Sequence, residues 1–207
     1  MGALTDRIQA NPGLKKWLHW MMVPRGQARP RLWVSLLLNP FKHERGQGSR
    51  ICRRTRLDVL PFRPFRLGAG STIEDFATVN NGVGAVLIGD RTRIGIGCVL
   101  IGPVTIGSDV MLAQNIVCSG LNHGYTDINT PIADQPVSTA EIVIEDEVWI
   151  GANAVITAGV RVGKHSVVGG GSVVTRDVPP YCVVGGNPAR ILRRYDEKSA
   201  TWVRTSA

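Results

Sequence analysis

Aliphatic side chains recur every six residues through the middle of this chain, and no other feature narrows its folding options as far. Leu67, Ile73 and Val79 open the series. After a three-residue slip it runs through Ile88, Ile94, Leu100, Ile106, Leu112 and Cys118, and it closes with Ile144, Ile150, Ile156, Val162, Val168 and Val174. Fourteen of these fifteen positions are Leu, Ile or Val, although those residues make up only 55 of 207. A helix repeats at about 3.6 residues, which six does not match, whereas six is a multiple of the strand period of two. The spacing therefore predicts short strands with regular corners, each aliphatic pointing into a narrow interior. An ordinary sandwich would space its strands at roughly 8–12 residues and less regularly.

The residues between the aliphatics carry a second pattern. The next position is often glycine, at Gly68, Gly89, Gly95, Gly107, Gly151, Gly163 and Gly169, which reads as backbone freedom for a corner. Four residues after the aliphatic the side chain is small or β-branched, at Ser71, Ala77, Thr92, Val110, Val148, Ala154, Val160, Ser166 and Ser172. Small side chains there let successive coils stack closely. Together these features mark a parallel β-helix of hexapeptides.

Charge divides the chain. Residues 1–66 hold 14 Lys/Arg against 3 Asp/Glu, while residues 67–207 hold 10 against 13. The net charge of +8 thus belongs to the N-terminal third. That third also has two apolar patches, Trp17 to Val23 and Leu32 to Leu38. It reads as a helical cap on the rod, or as a surface resting on anionic membrane. Nucleic-acid binding fits less well, because the aromatics cluster with apolar residues and are not interleaved with the basic run. No apolar run reaches the roughly 18 residues of a membrane span, and Met1 to Asp6 do not begin a signal peptide. Cys52, Cys98, Cys118 and Cys182 form no CxxC pair, so a reduced, cytoplasmic protein is expected, with peripheral contact at the inner membrane face as the further reading. Cys98 and Cys118 read as buried small apolar residues.

Two interruptions locate function, because loops on a solenoid carry variation without disturbing its core. The first is Asn80-Asn81-Gly82-Val83-Gly84. The second, residues 119–143, abandons the period and contains Leu121-Asn122-His123-Gly124-Tyr125-Thr126-Asp127. The expected organisation is a basic, partly helical leader over 1–66, a rod over 67–186 with the inserted loop 119–143, and a C-terminal helix and tail over 187–207. Asn187 followed by Pro188 reads as a helix N-cap and first helical residue.

Glu145-Asp146-Glu147-Val148-Trp149-Ile150-Gly151-Ala152, the run Gly169 to Pro180, and Gly186-Asn187-Pro188-Ala189-Arg190 resemble the hexapeptide-repeat acyltransferases, in particular the maltose, galactoside and capsular-polysaccharide O-acetyltransferases. The resemblance covers roughly residues 65–195. It implies an all-β, left-handed parallel β-helix and a homotrimer with active sites between subunits. It implies acetyl-CoA as acyl donor, a saccharide acceptor, and His123 as the catalytic base. Ala152, Gly170, Thr175, Arg176, Arg190 and Arg193 match the cofactor-contacting places, and Asn80 or Asn81 the place that binds the acceptor hydroxyl. The long basic leader departs from the shorter maltose-type leader.

The chemistry asks little else of the site. A neutral imidazole takes the proton of a sugar hydroxyl as it attacks the thioester carbonyl. The CoA thiol leaves readily, so no covalent enzyme intermediate is needed. Backbone N–H groups at glycine-rich corners are candidates for stabilising the oxyanion, and Asp127 and Glu141 are two loop carboxylates that could orient His123. No metal is expected: a zinc site needs converging imidazoles, and the rod has only His123 and His165. His165 reads as a solvated corner residue, and His19 and His43 as structural or exposed. Trp149 either fills a coil junction or touches ligand. The alternatives are an N-acetyltransferase acting on an amino sugar or nucleotide-sugar, since the same base serves an amine, and a non-catalytic β-helix binding module.

Overall fold

All fifteen aliphatic positions of the six-residue series point into one interior, and none is more than 2% exposed. Burying a side chain of this size is worth about 1.5–3 kcal/mol, so this line of residues is the main source of stability. The computed structural model describes residues 10–205. Six coils of three short strands each wind around the interior. The first holds Glu44–Arg45 (β1), Arg50–Ile51 (β2) and Arg56–Asp58 (β3), and the second Phe65–Leu67 (β4), Thr72–Ile73 (β5) and Thr78–Asn80 (β6). The third holds Val86–Ile88 (β7), Arg93–Ile94 (β8) and Val99–Ile101 (β9), and the fourth Val104–Ile106 (β10), Met111–Leu112 (β11) and Val117–Ser119 (β12). A hairpin, Leu121–His123 (β13) and Val137–Thr139 (β14), then leaves the rod. The fifth coil is Ile142–Ile144 (β15), Trp149–Ile150 (β16) and Val155–Ile156 (β17), and the sixth Arg161–Val162 (β18), Val167–Val168 (β19) and Val173–Val174 (β20).

Parallel pairing stacks like on like. On the first face Leu67, Ile88, Ile106, Ile144 and Val162 are successive partners. On the second face the stack is Ile73, Ile94, Leu112, Ile150 and Val168, and on the third Val79, Leu100, Cys118, Ile156 and Val174. The small residues four places on, among them Ser71, Thr92, Ser166 and Ser172, are also buried. Their hydroxyls bind backbone at the corners: Ser71 Oγ donates to Gly89 O at 2.6 Å and Thr92 Oγ1 to Gly107 O at 2.7 Å.

Three expectations need correction. The glycines following each aliphatic do not supply left-handed backbone. Left-handed φ falls three residues after the aliphatic, at Arg91, Asp109, Asn115, Glu147, Asn153 and His165 and at Gly70, Gly97 and Gly171. The glycines are needed for close approach: a Cβ on Gly89 would lie 2.5 Å from Gly107 C, and one on Gly151 would lie 2.6 Å from Gly170 N. Second, the rod begins before residue 67. β1, β2 and β3 pair with β4, β5 and β6, but Arg45 takes the register of Leu67 and so breaks the aliphatic signature of the first coil. Third, among the described residues no helix follows Asn187. Cys182–Gly186 (β21) stacks on β19, and Ala189–Asp196 (β22) and Thr201–Arg204 (β23) add antiparallel to its edge. Ala189 and Ile191 turn inward against the core while Arg190 and Leu192 turn out. That two-residue alternation, and the unpaired edge of β21 it covers, favour strand over helix.

N-terminal to the coils, Pro12–Met22 forms a helix (α1), capped by Asn11 Oδ1 accepting from Leu14 N at 3.0 Å. A wide helical turn over Val34–Leu38 and a tight one over Asn39–Phe41 follow. Asn39 Nδ2 donates to Val59 O at 2.9 Å and His43 Nε2 lies 3.1 Å from Leu60 O, which ties this segment to the first coil.

Candidate active site

The loop that carries His123 leaves the rod at the edge between the third and first faces. β12 precedes it, β15 follows, and the ladder closes behind it as though nothing were inserted: Val104 pairs with Ile142. Within the loop, Leu121, Asn122 and His123 pair antiparallel with Thr139, Ser138 and Val137. The turn beyond is held by Gln135, only 8% exposed, whose Nε2 donates to Asp127 O and Thr130 O, each at 2.8 Å. His123 is exposed at the end of β13. It lines an open depression of about 560 Å³ together with Asn122, Gly124, Tyr125, Thr126 and Ser138. Ser138 was invisible to the six-residue period, because only the antiparallel pairing of the loop's two arms brings it beside Asn122.

Neither Asp127 nor Glu141 orients the imidazole. Asp127 accepts from Thr130 Oγ1 at 2.7 Å and Asn129 N at 2.9 Å, and these bonds hold its carboxyl below the usual range. Glu141 accepts from Thr105 Oγ1 at 2.6 Å.

Asn80 and Asn81 lie on the same edge, two coils below the loop. Asn81 has no access to an acceptor. It is fully buried, its Oδ1 accepts from Leu60 N at 2.8 Å, and its Nδ2 donates to Leu60 O and Arg63 O. Asn80 is partly exposed, and its Oδ1 accepts from Gly82 N at 2.7 Å.

The six positions matched to the cofactor fall in two groups. Ala152 and Gly170 occupy neighbouring corners between the second and third faces, with Gly171 N donating to Ala152 O at 2.8 Å. Above them, Gly186 N donates to Ser172 Oγ at 3.2 Å and Gly185 pairs with Arg190, so Arg190 continues this line. Arg193 follows on β22, opposite Arg204 across the β22–β23 pair. Thr175 and Arg176 stand apart, exposed on the loop edge of the sixth coil. Among the described residues Arg176, Arg190, Arg193, Arg194 and Arg204 form no ion pair. Two cations directly opposite on paired strands repel, and a bound anion relieves that cost.

The remaining candidates lie away from His123. His165 takes the left-handed corner position, and its Nδ1 lies 2.9 Å from Glu147 Oε2, beside a Lys164–Glu147 pair at 3.1 Å. Trp149 is 49% exposed on the outer second face, between Met111 and Val167. A depression of about 300 Å³ at the first coil is lined by Glu44, Arg45, Arg66 and Asp90, where Asp90 Oδ1 is occupied by Ala69 N at 2.7 Å. Among the described residues no three His, Cys, Asp or Glu side chains converge as a metal site.

Comparison with known proteins agrees with this geometry. The profile "Bacterial transferase hexapeptide (six repeats)" matches residues 141–176, and "Hexapeptide repeat of succinyl-transferase" matches residues 85–118. Both profiles describe hexapeptide repeats, and both fall on the coils of the rod. A galactoside O-acetyltransferase of Escherichia coli (strain K12) is 37% identical over 100 residues, 46% of each chain. A 2,3,4,5-tetrahydropyridine-2,6-dicarboxylate N-acetyltransferase of Brevibacillus brevis is 55% identical over 65 residues, 31% of this chain and 28% of that one. The matches thus span less than half the length of these curated relatives. A solved hexapeptide-repeat acetyltransferase from Vibrio cholerae superposes with TM-score 0.56 at 28% identity, covering 92% of this chain and 94% of that one. An N-acyltransferase from Bacillus cereus, solved with dTDP and coenzyme A, shares the fold at TM-score 0.65 and 20% identity, covering 75% and 85%.

Proposed function

We propose that this protein moves an acetyl group from acetyl-CoA to a hydroxyl of a saccharide, with His123 as general base. The observation that carries the proposal is the placement of His123: it stands exposed in a depression on a hairpin that leaves the rod, on the same edge as Asn80. The imidazole accepts the hydroxyl proton as the oxygen bonds to the thioester carbon. The carbon–sulfur bond then breaks, and the proton passes to the departing thiolate. Ala152 and Gly170 present almost no side chain and leave room for an extended donor, and Arg190 and Arg193 meet its phosphates. Asn80 holds the acceptor.

The galactoside O-acetyltransferase relative supports a hydroxyl acceptor. The higher identity over a shorter stretch to an N-acetyltransferase favours a second reading, transfer to an amine on an amino sugar or nucleotide-sugar. Part of the proposal is a homotrimer with the site between subunits. The outward apolar rung of Met111, Trp149 and Val167 supports a self-interface, and light scattering of the purified chain tests it.

The decisive experiment follows CoA thiol release against a panel of sugars, amino sugars and nucleotide-sugars. His123→Ala is expected to lower turnover by about 10²–10⁴-fold while leaving CoA binding intact. Full turnover by that variant refutes the assignment of the base. Release with amines alone decides for the second reading.

A further inference from the structure

Residues 10–43 carry six Lys or Arg and no Asp or Glu. In α1, Leu18 and Met22 turn inward. Trp17 and Trp20, on the neighbouring arc of the same helix, remain 53% and 45% exposed. The following turn repeats the division: Val34 is fully buried, while Leu36 and Leu37 are 62% and 63% exposed. Arg31 holds the pieces together, its guanidinium 5.5 Å from the centroid of the Trp20 ring. The small core beneath, Met22, Val23 and Val34, leaves these large apolar side chains facing out among cations.

We infer that this face docks the chain on an anionic lipid bilayer. Exposed Trp and Leu beside Lys and Arg, without acids, is the composition of segments that lie in the headgroup region, where the apolar side chains enter the acyl boundary and the cations meet anionic lipid. α1 is about 16 Å long, and no helix of the described residues is long and apolar enough to cross a membrane. Charge decides between occupants. Among the described residues only Arg29 of the segment's cations lies near an acid, 4.0 Å from Asp58; a second copy seated here would set the remaining cations against their own kind, and a nucleic acid offers the Leu and Trp side chains no apolar phase.

The face is fixed in orientation. Leu60 packs against its core and also bonds Asn81, so the docked segment sits at the foot of the edge that carries Asn80 and His123. The loop leaves that edge three coils higher, about 14 Å along the rod at strand spacing. Taken with the acyl-transfer reading, this places the acceptor within reach of the membrane surface, where a lipid-linked saccharide would present its sugar.

The test uses the full chain and sedimentation with phosphatidylcholine vesicles, with and without phosphatidylglycerol. Binding is expected to anionic vesicles, roughly tenfold weaker to neutral ones and weakened by salt. Leu36→Ser/Leu37→Ser and Lys15→Glu/Lys16→Glu should each reduce it at least severalfold with unchanged melting temperature. Quenching of tryptophan emission by brominated lipid provides a second readout on the unmodified chain. Absence of binding, or equal binding to neutral vesicles, overturns the inference. So does self-association that Leu36→Ser/Leu37→Ser abolishes, which would assign the face to a second copy. None of these outcomes depends on acetyl transfer, so failure here leaves the base assignment standing.

Discussion

The Asn81 carboxamide exchanges two hydrogen bonds with the backbone of Leu60, accepting from its N–H at 2.8 Å and donating to its carbonyl at 3.0 Å. A third bond reaches Arg63 O at 2.8 Å. One buried side chain therefore fixes the corner between the first and second coils. Asn81→Ala strands those backbone groups and is expected to cost about 2–4 kcal/mol, read as a lowered urea midpoint. Activity per folded molecule should be retained. Its neighbour should behave in the opposite way: Asn80→Ala is expected to raise the KM for acceptor with stability within about 0.5 kcal/mol of wild type.

Two glycines separate coil stacking from ligand access. A methyl on Gly89 meets the backbone of Gly107 at 2.5 Å, whereas one on Gly170 finds its nearest neighbour, Ala152 O, at 3.2 Å. Gly89→Ala is expected to destabilise by about 3 kcal/mol or more. Gly170→Ala should change stability by no more than about 1 kcal/mol while raising the KM for the acyl donor severalfold. Equal melting temperatures for the two variants would contradict the packing role of the glycines.

Gly124 follows the candidate base directly, and a Cβ there would lie 2.7 Å from Pro136 O. Gly124→Ala must displace one arm of the loop. An error of about 1 Å in the position of a reacting group costs up to about 100-fold, so kcat should fall 10- to 100-fold by that measure. The rod closes beneath the loop independently, so thermal stability is expected to stay near wild type. A large loss of stability would show that the loop supports the coils.

The His43 imidazole is pushed below its ordinary range by burial, with the Leu60 carbonyl partly offsetting the effect. Its ring also meets Phe65 edge-on at 5.6 Å. Protonation is thus easier in the unfolded chain. The stability His43 contributes is complete above the unfolded value of about 6.5 and is lost as pH falls through the lower folded value. Melting temperatures between about pH 8 and 5 should decline toward acid, and His43→Gln should flatten the decline. Identical slopes for both proteins would remove His43 as the cause.

The interior of the rod was legible because its rule is strict: each inward slot takes one branched aliphatic, and the period of six writes that rule along the chain. The rule failed at both ends. Arg45 occupies a first-coil slot next to solvent, where nothing demands an aliphatic, and only Ile51 and Leu57 remained to mark that coil. At the other end Asn187 and Pro188 resembled a helix start, and the pairing that made β22 a strand depends on the open edge of β21, which local residues do not announce. Within the candidate site, His123 stood out because it interrupts the period. The fate of Asn81 did not, since its partners Leu60 and Arg63 are brought to it by coil stacking. Ser138 likewise joins the depression around His123 only through pairing across the loop.

The loop between β12 and β15 begins and ends at a single corner, with the ladder continuous from Val104 to Ile142. What it carries can therefore be exchanged as a cassette. Replacing residues between those two strands would change the surface beside His123, and on the proposed function the acceptor it admits, without asking any of the six coils to fold again.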